Sequence, residues 1–161
     1  MTYTKAAERR MNALRDSALD DARLRELLGL MLTGAIRRQM WLMFLDDDDR
    51  MSDLIMPMAD YPEDADEPAV LDDLGPVTAA QAIGARIPMI AEVVGATQAV
   101  LVWERLGDEA FRPGELAWAA RIAGALSGDP AGGPRVRLRG QFLLHDDGIR
   151  ELTPDDYADA A

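Results

Sequence analysis

The stretch from Ala99 to Leu126, AVLVWERLGDEAFRPGELAWAARIAGAL, decides the fold. It opens with a continuous apolar run, the pattern of a strand. A charged turn follows, and then a helix that starts at Pro113, where a fixed φ and a missing N–H cost nothing. Glu115 sits in the first turn of that helix, at its positive end. Downstream, RVRLRGQFLLHDDGIREL begins at Arg135 and reads as a hairpin. Val136, Leu138, Phe142 and Leu144 alternate with Arg135, Arg137, Arg139 and Gln141, which predicts one buried and one polar face. Asp147–Gly148 is the expected turn before Ile149–Leu152.

Upstream, TQAVLVWE is preceded by TAAQAIGARIPMIAEVV, a helix capped by Thr78 with Gly95 at its far end. Pro88 inside it predicts a kink or break near Arg86. Residues 59–76 carry three prolines and seven acids and are expected to form a loop or flexible linker. Before them, Met40–Leu45 and Met51–Met58 flank four aspartates and Arg50, a second hairpin with a charged loop. From Thr4 to Arg38 the pattern is helical with a break near Ser17–Asp21. Leu24, Leu27, Leu28, Met31 and Leu32 form one apolar stripe.

The order α, α, β, β, α, β, α, β, β predicts an α/β fold. It is a three-layer-like mixed sheet with flanking helices and two β-hairpins, preceded by N-terminal helices. We divide the chain into a helical segment, 1–38, packing on the body or on a partner, an α/β domain, 39–153, and a flexible tail, 154–161.

A chain of 161 residues that is 48% apolar can bury a core of its own. It has no cysteine, which excludes disulfides, thiolate metal sites and cysteine nucleophiles. No apolar run approaches the roughly 20 residues of a membrane span, and no leader pattern opens the chain; a cytoplasmic location is expected. The net charge of −12 is uneven: residues 46–73 hold 12 acids against Arg50 alone. That field repels phosphate backbones, so neither nucleic acid nor membrane is an expected partner.

Several residues invite chemistry. Trp103, Glu104 and Arg105 could offer a stacking ring, a base and an anion clamp at a strand end, or form a strand end with solvated charges. His145 beside Asp146 and Asp147 falls in a predicted turn, with no serine placed to complete a triad. Asp46–Asp49 lacks the glycine and closing glutamate of a calcium loop. GDPAGGP lacks the Lys-Ser/Thr step of a phosphate loop. Arg135, Arg137 and Arg139 could meet the acidic 46–73 segment of the same chain or of a partner.

From Met40 to about Glu151 the layout resembles the RadC-like branch of the JAB/MPN metalloprotease-like superfamily. The likeness is carried by WLMFLDDDDRMSDLIMPM, AIGARIPMIAEVVGATQAVLV, and RPGELAWAARIAGAL followed by VRLRGQFLLHDDGIREL. In that family the strand matching Ala99–Val102 leads into a His-x-His motif, and an aspartate at the next helix start completes a zinc site. Here the matching positions read Trp103-Glu104-Arg105, and the helix start offers Leu116 beside Glu115. Trp103 and Arg105 supply no metal ligand. The resemblance therefore implies the scaffold without its metal chemistry, and no metal or cofactor is expected.

These readings point to a noncatalytic interaction, scaffold or regulatory protein, partnered by a second copy or another protein. Trp103, Arg105, Arg137 and Arg139 are its candidate contact residues. The alternatives are a carboxylate-dependent hydrolase using Glu104 and Glu115 as a close pair, with Arg105 holding an anionic substrate, and an acidic mimic of nucleic acid.

Overall fold

The computed structural model describes residues 4–128 and 135–160. Its centre is a five-stranded sheet in the order β2-β1-β5-β6-β7, built from β1 (Gln39–Leu45), β2 (Met51–Ala59), β5 (Gln98–Glu104), β6 (Arg137–His145) and β7 (Gly148–Leu152). β5 and β6 are parallel, joined through α4 (Pro113–Ser127), while the other pairings are antiparallel. A parallel neighbour needs such a crossover because a tight turn can only reverse the chain. Every residue of β5 is buried, as its apolar run requires of a central strand.

Alternation along the strands separates two cores. Met40, Leu42 and Phe44 of β1, with Ala99, Leu101 and Trp103 of β5, face α4 and α3 (Ala79–Val93). Met43, Leu45, Val100 and Val102 point the other way, onto Leu14 of α1 (Lys5–Arg15) and Leu24, Leu27 and Leu28 of α2 (Asp21–Met31). The N-terminal helices thus form the layer on the second face of the sheet. Side-chain caps fix both starts: Thr4 Oγ1 accepts from Ala7 N at 3.0 Å and Asp20 Oδ1 from Arg23 N at 2.8 Å.

The expected mixed α/β architecture is present, with differences in detail. Within 59–76 the chain forms a small separate hairpin, β3 (Pro68–Leu71) with β4 (Gly75–Thr78), where a loop was expected. Gly75 takes the positive φ of 69° that its turn requires. α3 runs through Pro88 without interruption, its Ile87 and Ala91 held in the core. Tertiary packing there outweighs the lost backbone bond. Thr78 and Gln81 close a reciprocal capping box at its start. α3 lies so close to α4 that a Cβ on Gly84 would come within 2.6 Å of the Ala125 Cβ.

β6 departs from simple alternation. Its register against β5 shifts between the Ala99↔Leu138 and Val100↔Gly140 pairs, a bulge that inserts Arg139. Val136 and Leu138 therefore join the α3–α4 core while Phe142 and Leu144 join the α1–α2 core. The four do not share one face. The β6–β7 turn comprises Asp146 and Asp147, since His145 already pairs with Gly148. Within the segment expected as a flexible tail, the chain forms α5 (Pro154–Tyr157) and a 3-10 turn, Ala158–Ala160. Tyr157 packs on the α3–α4 core, and Arg121 donates to the Ala160 carbonyl at 2.9 Å.

Candidate functional site

Period-2 geometry sends the side chains at the end of β5 to opposite sides of the sheet. Trp103 is 1% exposed; its indole N–H donates to Gln141 Oε1 at 2.9 Å, and its ring packs against Tyr61 and Trp118. Glu104, 2% exposed, lies on the α1–α2 side. Oε2 accepts from the N–H groups of Ile36 (2.7 Å) and Arg37 (3.1 Å), and Oε1 from Gln39 Nε2 (2.9 Å) and Trp41 Nε1 (2.8 Å). Burial pushes this carboxyl up, but the four donors together outweigh it and hold it below its ordinary value. A carboxylate so saturated with donors closes the α2–β1 loop and is a poor general base.

Arg105 turns toward α4. Its guanidinium pairs with Glu115 and donates to the carbonyls of Asp108 and Ala110, and the pair is about nine-tenths buried. These bonds fold the β5–α4 loop back onto the helix start. The sheet thus separates Glu104 from Glu115, and no close carboxylate pair forms. A hollow of about 300 Å³ beside them is bordered by Arg38, Tyr61, Glu63, Arg112 and Glu115. Arg38 there donates to the Tyr61 and Pro62 carbonyls and lies 3.8 Å over the Tyr61 ring, whose hydroxyl is pushed up by burial.

The other candidates are placed apart from this corner. Arg139, at the bulge, has only 6% of its side chain exposed. It donates to Asp21 Oδ1 (3.1 Å), Asp49 Oδ1 (3.2 Å), Gln98 Oε1 (3.3 Å) and the Leu19 carbonyl (2.8 Å), tying the start of α2 to the β1–β2 turn. Arg137 is exposed on the same strand. In the aspartate turn, Asp46 Oδ1 accepts from the N–H groups of Asp48 and Arg50. His145 is buried at the end of β6, its Nδ1 3.3 Å from Asp147 N. Among the described residues no group of three or more His, Cys, Asp or Glu is placed to hold a metal ion. Among them, too, no helix is long and apolar enough to cross a membrane.

An apolar recess lies elsewhere. A groove of about 520 Å³ runs between α3, the edge strand β2 and the β3–β4 hairpin, with Met56, Met58, Leu71, Ile83, Ile90 and Val93 on its walls. Arg86 is the one polar side chain among its lining residues. That arginine is held by Asp73 through two 2.8 Å contacts, and its hydrogen bonds lower the Asp73 carboxyl to about 2. At the rim Met89 is 48% exposed and Val93 86%, and Val70 and Leu74 of the adjoining hairpin are 79% and 46%. Isolated exposed apolar residues are ordinary, but Met89 and Val93 are exposed where they line an apolar recess, which is the character of a contact surface.

The sequence held a signal for this groove. Between Ala79 and Val94 only Gln81, Arg86 and Glu92 are polar, so α3 is apolar nearly all round. A helix of that kind needs cover on more than one side. Comparisons with protein-family models, with curated proteins and with solved structures return no match.

Proposed function

We propose that this chain is a noncatalytic interaction protein, a scaffold or regulatory subunit, built on a JAB-like shell whose metal-ligand positions are taken by Trp103 and Arg105. The observation that carries this reading is the contrast between the two corners. At the strand–helix crossing the buried charged groups are spent on internal hydrogen bonds. At the groove an apolar recess opens to solvent under Met89 and Val93. The acid–base alternative requires Glu104 and Glu115 to act together, and they lie on opposite sides of the sheet.

Co-purification from the producing cells tests the reading. The Met89→Ser/Val93→Ser variant is expected to lose its bound partner, a second copy included. A Leu106→Ser/Arg112→Ala variant, altered at exposed positions of the crossing, is expected to keep it. Loss of the partner only in the crossing variant, or a stoichiometric zinc content in the purified protein, overturns the reading.

A further inference from the structure

We infer that the groove takes a basic amphipathic helix of another protein, its apolar stripe between α3 and β2 and its Lys or Arg residues over the acidic rim. This rests on the interaction reading above and names the partner's chemistry.

Three observations select that occupant. The first is charge. Arg86, the charged lining residue, is engaged with Asp73, and the charged residues next to lining residues in the chain are the exposed Asp72, after Leu71, and the exposed Glu92, before Val93. They belong to a molecule of net charge −12, so a basic segment is drawn in and a second copy of the chain is repelled.

The second is the sheet edge. Among the described residues β2 pairs only with β1, so its other edge carries no strand there. Pro57 in the middle of β2 has no N–H to give an added strand, which disfavours an extended peptide there.

The third is length. The α3 residues on the groove run from Ala82 to Val93, roughly 16 Å at about 1.5 Å per residue. A partner helix lying alongside can place anchors at i, i+3, i+4 and i+7 over that distance. Met56, Met58 and Met89 suit such an occupant, because unbranched thioethers adapt to irregular apolar faces.

The probes are three synthetic helical peptides read by fluorescence anisotropy against the full chain. One has a leucine stripe flanked by lysines, one the same stripe flanked by glutamates, and one the lysine composition with its leucines scattered around the helix. The lysine-flanked stripe is expected to bind at least tenfold tighter than either control. The Met89→Ser/Val93→Ser variant, which alters only exposed side chains, should weaken it about tenfold. Asp72→Asn/Glu92→Gln should weaken it several-fold and flatten its salt dependence.

Equal binding of the scattered-leucine peptide, unchanged in the serine variant, would mean diffuse attraction to an acidic surface and overturns the inference. Equal binding of the glutamate-flanked stripe overturns the basic partner while leaving the interaction reading intact. Light scattering that shows a dimer lost in the serine variant makes the occupant a second copy and overturns it likewise. If no peptide binds, the inference fails. The interaction reading fails with it only if co-purification is also indifferent to Met89 and Val93.

Discussion

Glu104 shows how a chemically suggestive residue becomes a structural one. Its carboxylate accepts from two backbone N–H groups and two side chains, all in the α2–β1 segment. Glu104→Gln puts an amide N–H₂ where donors converge, and a loss of about 2–4 kcal/mol in unfolding free energy is expected, measured by urea denaturation. Because the folded carboxyl is held below its unfolded value near 4.5, its stabilisation is fully present above that pH. It is lost as the pH falls through the folded value. The wild type should therefore lose stability below about pH 4.5 more steeply than the glutamine variant. Parallel acid titrations of the two would refute the assignment. None of this was legible beforehand, since the partners lie 63 to 68 residues away along the chain. The sequence does show a charged residue ending an apolar strand, and there its information about Glu104 stops.

Among the elements, those with strong periodicity or caps were legible and those set by long-range contacts were not. Thr78 and Gly95 mark α3, Pro113 marks α4, and the apolar run of β5 marks a central strand. By contrast, β6 reads as regular alternation, and only pairing with β5 reveals the bulge that inserts Arg139. Arg139→Ala removes the knot among Leu19, Asp21, Asp49 and Gln98. A loss of about 1–3 kcal/mol is expected, with faster hydrogen exchange at the α1–α2 junction. The α3–α4 contact gives a second test. Gly84→Ala would gain roughly 0.5–1 kcal/mol of helix propensity. Its Cβ, however, meets Ala125 at 2.6 Å, and overpacking costs about 1–3 kcal/mol. A lowered melting temperature is expected; a raised one would show that the two helices can separate freely.

At the scale of the molecule, three layers leave an apolar surface uncovered. α1 and α2 cover one face of the sheet and α3 and α4 the other, while the groove between α3, β2 and the small hairpin stays open. The layered α/β order could be read from the chain. The apolar α3 signals a need for cover on more than one side, but where the groove opens depends on where β3 and β4 stand, and that segment reads as a polar loop. The proposal with the widest reach is that a partner meets this molecule at the groove rather than at the strand–helix crossing. A photocrosslinking side chain placed at Val93 or at Leu106, which are 86% and 57% exposed, tests it most directly in the cells that make the protein. A discrete adduct from position 93 and none from position 106 is predicted. An adduct from position 106 with none from position 93 would contradict the account and return attention to Arg105 and Glu115.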